Sequence, residues 1–344
     1  MDRRWMLKTH GDPLGRVRTF LGDVWQQLGL DSLLVPNTDC GINQLELRRL
    51  DSPGQLHQVN PFQPLMTANT ARHLPGLLND YADARMGVLL RPCEMRALVE
   101  MAKHDSFRLD RLFTICIDCL GTLPLDEYQW RAARKGSPGA LAQEALQFAR
   151  QGGIVPYRYR SACQMCFSPE AKGGDVNLHV LGLPARQYLL FDVGSEAVAE
   201  QLGLNMKTPV AKESLVLSEW DKAVATLVER RIRARDRVSH SLAATLPDTT
   251  RDITEMLEGC GNCQECLQVC PICAVDFPER RAGGHYADHE VARWLMSCDG
   301  CGMCEEACPE HRPLSAIFGH MRELLTEPSG YVPGRSLEEP LPLN

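Results

Sequence analysis

The sequence predicts an α/β N-terminal domain followed by a mostly α-helical, cysteine-rich domain. Within residues 1–205, short apolar runs typical of strands alternate with helical stretches, which is the pattern of an α/β domain. After that region the apolar residues recur with a helical period. Nine of the fifteen cysteines then lie between Cys260 and Cys308. The chain therefore divides into two parts, and the second is organised by its cysteines.

Composition excludes several classes of protein. The 344 residues are 44% hydrophobic and 24% charged, which is ordinary for a globular chain of about two domains. The net charge of −7 argues against a nucleic-acid partner. No apolar run approaches the roughly 18 residues of a membrane span, and the N-terminus lacks the apolar core of a signal peptide. We therefore expect a cytoplasmic protein with no membrane span, in which cysteines serve as metal ligands.

The α/β prediction depends on a few segments. Apolar runs predict strands at residues 32–36, 86–90, 112–117 and 187–193, and helical periodicity covers Glu94–Lys103 and Pro138–Arg150. Residues 206–250 are predicted to form a linking helix with Ser218 as its N-cap and Asp221 three residues later. Its apolar face would consist of Trp220, Val224, Leu227 and Val228. Five arginines lie within residues 229–237, for which a solvated helix face is favoured over a docking surface for an acidic partner.

The C-terminal cysteines follow a repeated spacing. Both copies read C-x2-C-x2-C-x3-C-P, which is the pattern of bacterial ferredoxins with two clusters, and in it the fourth cysteine of each copy ligates the other cluster. The predicted ligand sets are Cys260, Cys263, Cys266 and Cys308 for one cluster, and Cys298, Cys301, Cys304 and Cys270 for the other. Two complete copies disfavour zinc. The sequence thus predicts a two-[4Fe-4S] helical ferredoxin domain over residues 251–328, followed by an extended tail over 329–344.

Three other residues of this region are assigned ordinary structural roles. Cys273 is surplus to both motifs, and we expect it to be buried packing. His285 and His289 are four residues apart but lack a third ligand, so we expect surface histidines.

Five cysteines of the α/β domain can meet at one place. Cys93 follows a buried strand at the start of a helix, where the thiolate form is favoured. The next strand delivers Cys116 and Cys119, and a later segment brings Cys163 and Cys166. The carboxyl ends of neighbouring strands in an α/β sheet converge on one crevice. Side-chain alternation favours Cys119 over Cys116 as a ligand, although two C-x2-C pairs are also compatible with zinc.

The same segments carry a family resemblance. RPCEMRALVEMAK (91–103), LDRLFTICIDCLGT (109–122) and CQMC (163–166) resemble the beta-subunit family of coenzyme F-420 (deazaflavin) hydrogenases and dehydrogenases, which includes formate dehydrogenase beta subunits. The resemblance covers roughly residues 60 to 195. In that family a Pro-Cys turn, a lone cysteine after the next strand and a C-x2-C pair hold a [4Fe-4S] cluster beside a flavin. The resemblance implies a third cluster, held by Cys93, Cys119, Cys163 and Cys166.

The resemblance extends to the C-terminal part with two departures, the order of the domains and Arg312, which stands where an aliphatic residue is usual after the last cysteine motif. Residues 293–309 and the helix after them are similar to bacterial iron–sulfur members of this group and to the helical ferredoxin of heterodisulfide reductase subunits. The archaeal hydrogenase subunits place a ferredoxin segment before the α/β domain, whereas here it follows.

A flavin, expected as FAD, is implied by the resemblance alone. No G-x-G-x-x-G follows a strand in the manner of a nicotinamide site. We expect the flavin near Arg91 and Glu94, with Asn69 and Thr70 able to hydrogen-bond its ring or phosphate. A helix N-cap is an equal alternative for Asn69 and Thr70.

The sequence thus predicts an iron–sulfur electron-transfer subunit of a cytoplasmic oxidoreductase complex of the formate dehydrogenase or hydrogenase type, with a soluble electron carrier as a further partner. Three clusters need twelve cysteines, which leaves Cys40, Cys116 and Cys273 spare. One alternative is a flavin-free adaptor that links a catalytic subunit to a heterodisulfide-reductase-like partner. Another is a structural zinc in the α/β domain, which leaves redox chemistry to the C-terminal clusters.

Overall fold

The computed structural model describes residues 3–37, 46–81, 83–104, 109–151, 158–260 and 263–342. Cys40, one of the three spare cysteines, lies outside these residues.

A mixed seven-stranded sheet forms the centre of the N-terminal part as described. Its strands are β1 (Trp5–Lys8), β2 (Ser32–Asn37), β3 (Glu46–Leu50), β4 (Met86–Leu90), β5 (Leu112–Ile117), β6 (Val176–His179) and β7 (Tyr188–Val193). Their order is β1-β7-β6-β5-β4-β2-β3. The inner strands β2, β4, β5 and β6 pair in parallel, and the outer pairs are antiparallel. β4 and β5 are buried at every residue, because helices cover both faces of a parallel sheet.

Helices pack on both faces of the sheet. They are α1 (Pro13–Leu28), α2 (Leu74–Asp80), α3 (Pro92–His104), α4 (Leu125–Lys135), α5 (Pro138–Gln147), α6 (Ser161–Gln164) and α7 (Glu196–Gln201). Apolar residues of α1, α5 and α7 share one hydrophobic core with one face of the sheet. α2 and α3 belong to a second core on the other face.

The C-terminal part is helical. It comprises α8 (Leu215–Leu242), α9 (Thr250–Glu258), α10 (Glu265–Gln268), α11 (Asp288–Met296), α12 (Met303–Glu306) and α13 (Leu314–Thr326). The short α10 and α12 each begin within a cysteine motif, and the longer helices surround them. No helix within the described ranges is long and apolar enough to cross a membrane.

The helical part shares a hydrophobic core with the α3 face of the sheet. Val88 and Met101 of the α/β part lie in one continuous buried cluster with Ile253, Trp294 and Phe318. The rings of Trp294 and Phe318 meet edge to face at 5.0 Å between centroids. A single apolar layer therefore holds the cysteine motifs against α3, the helix that begins beside Cys93.

Hydrogen bonds reinforce this packing. Arg72 Nη1 donates to the carbonyl of Cys270 at 2.8 Å, and Arg96 Nη2 donates to the carbonyl of Asp299 at 3.0 Å. His104, at the end of α3, bonds Asp276 and Ser297, each at 2.7 Å. Both cysteine motifs are thus pinned to the α/β part through their own backbone.

The predicted elements are present with small differences of boundary. α8 begins at Leu215, and its N-cap is Ser214, whose hydroxyl accepts from Leu217 N–H. The prediction of Ser218 as N-cap is wrong, because Ser218 lies one turn inside the helix. The apolar face is right, since Trp220, Val224 and Leu227 are buried. Strands β1, β3 and β6 and helices α1, α2, α4, α6 and α7 were not predicted.

The tail lies over α3 without regular structure beyond a short 3₁₀ turn at Glu327–Ser329. Tyr331 is buried, and its hydroxyl donates to the carboxylate of Glu100. Gly334 N–H donates to the same carboxylate at 2.7 Å. The tail is therefore tied to the helix that carries Cys93 and Arg96.

Candidate metal centres

Two adjacent parallel strands bring the first pair of cysteines to the same edge of the sheet. β4 ends at Leu90, and Cys93 follows in the first turn of α3. β5 ends at Ile117, and Cys119 follows two residues later. Because β4 and β5 are parallel neighbours, their carboxyl ends lie side by side. The two thiols therefore face the same crevice.

A loop segment carrying the second pair closes this crevice. Cys119 N–H donates to the carbonyl of Pro169 at 2.9 Å, and Arg160 N–H donates to the carbonyl of Thr122 at 2.9 Å. Between these anchors, Cys163 lies in α6 and Cys166 follows it. Gly121 has a positive φ of 97°, and a Cβ there would stand 2.3 Å from the ring of Tyr159. Glycine is thus required where the two segments cross.

The four thiols line one pocket. Cys93, Cys119, Cys163 and Cys166 all line the same small cavity. Cys116 is excluded from it, since it is fully buried within β5 in the core under α3. Burial raises the pKa of the Cys116 thiol far above its ordinary value. The preference for Cys119 over Cys116 agrees with this geometry.

The thiols differ in how readily they ionise. Burial, and then the neighbouring charge of Cys163, raise the pKa of Cys119 to about 11. Burial also opposes ionisation of Cys163, but Arg160 and hydrogen bonds from Thr122 outweigh it and hold the pKa of Cys163 below its ordinary value. The expectation that the thiolate form of Cys93 is favoured is wrong for the protein without a bound metal. Burial and the nearby carboxylates of Glu94 and Asp299 raise the pKa of Cys93 despite its position at a helix start.

Buried cations complete the pocket. Arg160 is 3% exposed and Arg231 is 9% exposed, and both line it. Arg160 donates to Thr122 Oγ1, to Cys301 O and to Cys163 Sγ, at 2.8, 3.1 and 3.9 Å. Arg231 Nη2 is buried without a hydrogen-bond partner among the described residues. Buried guanidiniums facing four thiols fit a pocket whose occupant is anionic, as a thiolate-ligated iron–sulfur cluster is.

The first C-terminal set lines a second and larger pocket. Cys260, Cys263, Cys266 and Cys308 line a cavity of about 330 Å³, together with Tyr286 and Pro309. Cys263 is exposed. Burial, and then the charges of Cys260, Cys263 and Cys308, raise the pKa of Cys266 to about 12. The fourth cysteine of the second motif thus lies at the same pocket as the first three of the first motif.

The second C-terminal set lies deeper. Burial raises the pKa of Cys298 to about 12, and the charge of Cys270 adds to the shift. Cys301 and Cys304 are shifted in the same direction, and both also interact with Cys270. Cys270 itself accepts hydrogen bonds from Cys273 and from Trp294 Nε1, the latter at 3.3 Å, and these lower its pKa. Cys273 is buried as predicted, and it also donates to a predicted ligand.

The deeper set lies between the other two. Cys301 lines the α/β pocket beside Cys93, and Arg160 joins Cys163 to the carbonyl of Cys301. On its other side, Cys304 interacts electrostatically with Cys266 of the exposed set. The three sets therefore form a series: the α/β pocket, the middle set that contains buried Cys301, and the outer set that contains exposed Cys263. Within the described residues, no three or more His, Cys, Asp or Glu side chains converge on one point as the ligands of a single metal ion do.

The residues expected near a flavin are engaged with one another. Glu94 is buried and accepts hydrogen bonds from Thr70 N–H, Thr70 Oγ1 and Arg91 N–H. Arg91 Nη2 donates to the carbonyl of Leu65 at 2.7 Å. Asn69 is the N-cap of the 3₁₀ turn Thr70–His73, the alternative given above, and its Nδ2 is buried without a hydrogen-bond partner in the described part of the chain. His285 and His289 are exposed, as expected of surface histidines.

Two curated proteins are similar to this chain in sequence. No family model matches the chain. It is 23% identical over 296 residues to the F420-dependent formate dehydrogenase subunit beta of Methanocaldococcus jannaschii, a match that covers 74% of each chain. It is 24% identical over 232 residues to the F420-dependent formate dehydrogenase 1 subunit beta of Methanococcus maripaludis, which covers 58% of this chain and 57% of the relative. The chain is thus similar to beta subunits of F420-dependent formate dehydrogenases, in agreement with the resemblance of its motifs.

A solved structure agrees at the level of fold. A chain of the F420-reducing [NiFe] hydrogenase complex from Methanosarcina barkeri superposes with a TM-score of 0.51 at 12% identity, covering 68% of this chain and 90% of that one.

Sequence reasoning missed the two arginines of the α/β pocket. Arg160 precedes the CQMC motif and gives no signal of its own. Arg231 was grouped with the solvated arginines of α8, but it stands four residues after Leu227, in line with the buried face of the helix. That periodicity was the signal that distinguishes it from exposed Arg230, Arg233 and Arg237.

Proposed function

We propose that this protein carries electrons between a catalytic formate dehydrogenase or hydrogenase subunit and a soluble carrier, through three [4Fe-4S] clusters. The observation that carries the proposal is the series of three four-thiol sets, in which the middle set adjoins both others. Clusters that accept and release single electrons need neighbours close by, and this series supplies them. The ligands would be the twelve cysteines of the three sets.

The chain's own residues would perform distinct tasks in this series. The outer set would exchange electrons with the catalytic partner, because Cys263 is exposed at its pocket. Trp294 and Cys273 would hold Cys270 by hydrogen bonds and so influence the middle cluster. Arg160 would neutralise charge at the junction with the α/β cluster, since it touches a cysteine from each of these sets. We retain the cytoplasmic location predicted from the sequence.

An FAD beside the α/β cluster would convert single-electron traffic into two-electron exchange with the carrier. The names of the relatives point to coenzyme F420 as that carrier. The buried Nδ2 of Asn69 and Nε2 of Gln63, which lack a partner among the described residues, are groups near Arg91 able to receive a ligand.

The test is electron transfer from the reduced chain. Protein purified without oxygen is reduced with dithionite, freed of excess reductant and mixed with oxidised coenzyme F420, while flavin released by denaturation is quantified. We expect about one flavin per chain and loss of the oxidised F420 absorbance, which is slowed in Cys119→Ala. A chain that contains flavin and clusters but leaves F420 oxidised contradicts the carrier assignment.

A flavin-free adaptor between a catalytic subunit and a heterodisulfide-reductase-like partner is the second candidate. It is favoured by the internal hydrogen bonds of Arg91, Glu94 and Thr70, which occupy the groups expected to meet a flavin. Absence of flavin from a chain that holds all three clusters would select it. Zinc in the α/β pocket remains the alternative to the third cluster, and metal analysis distinguishes the two.

A further inference from the structure

Arg231 is a buried cation on the linking helix α8. The buried face of α8 runs through Leu217, Trp220, Val224 and Leu227, and Arg231 occupies the next position on that face. Only 9% of it is exposed. Burying a guanidinium is costly unless its charge and its donors are matched. Its position therefore requires an explanation that helix packing does not give.

The described surroundings of Arg231 do not supply that match. No carboxylate among the described residues lies within ion-pair distance of Arg231, and its Nη2 is buried without a hydrogen-bond partner there. Arg231 lines the α/β pocket together with the four thiols. The other buried arginine, Arg160, already donates to Thr122, to Cys301 and to the sulfurs of Met66 and Met303. Among the described residues that line this pocket, Arg231 carries the buried donor without a hydrogen-bond partner.

We propose that Arg231 is the charge partner and hydrogen-bond donor of the group that Cys93, Cys119, Cys163 and Cys166 hold, and that it raises the reduction potential of that group. The inference rests on the proposed α/β cluster. A cubane with four thiolates is an anion whose negative charge increases on reduction. A donor cation beside its sulfurs therefore stabilises the reduced form more than the oxidised form.

Contacts with both halves of the chain fix the position of this arginine. Trp220 Nε1 donates to the carbonyl of Leu181 in the α/β part at 2.9 Å. One turn after Arg231, Arg235 pairs with Glu323 of α13 at 2.6 Å. The contacts of Trp220 and Arg235 thus hold the helix on either side of Arg231 and place this arginine at the pocket.

The test compares two neighbouring arginines. Arg231→Gln and Arg230→Gln make the same chemical change at a buried and an exposed position of one helix. Midpoint potentials of all clusters are measured on the full chain by redox titration with EPR, and the α/β signal is the one missing from Cys119→Ala. We expect Arg231→Gln to lower the reduction equilibrium constant of the α/β cluster about tenfold, which is about 59 mV for one electron. The other two clusters, and all three in Arg230→Gln, should keep their potentials.

Arg231→Lys and an iron count resolve the remaining outcomes. If Arg231→Gln loses about four irons while Arg231→Lys keeps them, the pocket needs the charge, which supports the inference. If both variants lose about four irons, the inference is overturned. It is also overturned if Arg231→Gln keeps its iron and the midpoint potential of the α/β cluster is unchanged; in either case the proposed cluster stands. If the wild-type chain shows no EPR signal of an α/β cluster, both the inference about Arg231 and the proposed α/β cluster are overturned.

Discussion

His179 lies between two aspartates at the end of the sheet where Cys119 follows β5. Its Nδ1 faces Asp118 at 3.4 Å, and its Nε2 faces Asp192 at 2.9 Å. Asp118 also accepts the N–H groups of Ala171, Val180 and Leu181. Burial opposes protonation of His179, but hydrogen bonds and charge from both aspartates outweigh it and raise its pKa to about 9. This charged group therefore supports the loop that presents Cys119.

Replacing His179 should destabilise the fold in a pH-dependent way. Because the pKa rises from about 6.5 in the unfolded chain to about 9 in the folded chain, the stabilisation is complete below pH 6.5 and is lost as pH rises through 9. His179→Gln should lower the free energy of unfolding by about 3 kcal/mol at neutral or lower pH. Denaturant unfolding from pH 6 to 9.5 measures the difference, with exposed His289→Gln as control. A gap that stays constant across this range contradicts the account.

Single residues also show where sequence reasoning reaches its limit. The motif spacing groups Cys308 with Cys260, Cys263 and Cys266, because the repeated pattern is visible in the sequence itself, and these four cysteines line one pocket. The pKa of Cys93 could not be predicted from the spacing of the cysteines. Its pKa depends on burial and on Asp299, a residue more than 200 positions away that only the fold brings near.

Two short elements meet where the cysteine motifs contact the α/β part. Gly302 lies just before α12 with a positive φ of 71°, and a Cβ there would stand 2.3 Å from the Cβ of Ala162 in α6. Ser161 of α6 donates to Glu305 of α12. α6 carries Cys163 and α12 carries Cys304, so this contact sets the separation of two thiol sets.

A methyl group at Gly302 should force these elements apart. Gly302→Ala combines an overpacked contact with an unfavourable φ, and we expect it to lower the free energy of unfolding by about 3 kcal/mol. Gly319→Ala is the control, since a Cβ at that position of α13 meets nothing within 4 Å. Thermal unfolding of the anoxic proteins measures both. Equal unfolding temperatures for the two variants would show that α6 and α12 do not need this close approach.

Helices and strands could be predicted where the pattern of neighbouring residues in the sequence determines them. The buried runs at 86–90 and 112–117 are strands β4 and β5 as predicted, because uninterrupted apolar residues are typical of parallel strands. Strand β3 (ELRRL) was missed because its charged residues lie at the edge of the sheet. The start of α8 was displaced because Ser214 and Ser218 both resemble N-caps, and only the fold distinguishes them.

In the whole molecule, the α/β part and the helical part share a core, yet each thiol set has its own surroundings. Val88 of the α/β part and Phe318 of the helical part belong to the same buried hydrophobic cluster. The sequence predicted the two architectures in the right order, but it gave no sign that they pack as one body. That packing brings Cys301 to the α/β pocket and makes a continuous series of three sets.

The central claim is that this series holds three cubanes, and iron content per chain of anoxically purified protein tests it most directly. The account predicts about 12 irons in the wild type. Cys266→Ser, measured alongside, should contain about 8 and keep the α/β EPR signal, because Cys266 lies in the outer set. About 8 irons in the wild type, or loss of all three clusters from Cys266→Ser, would contradict the account.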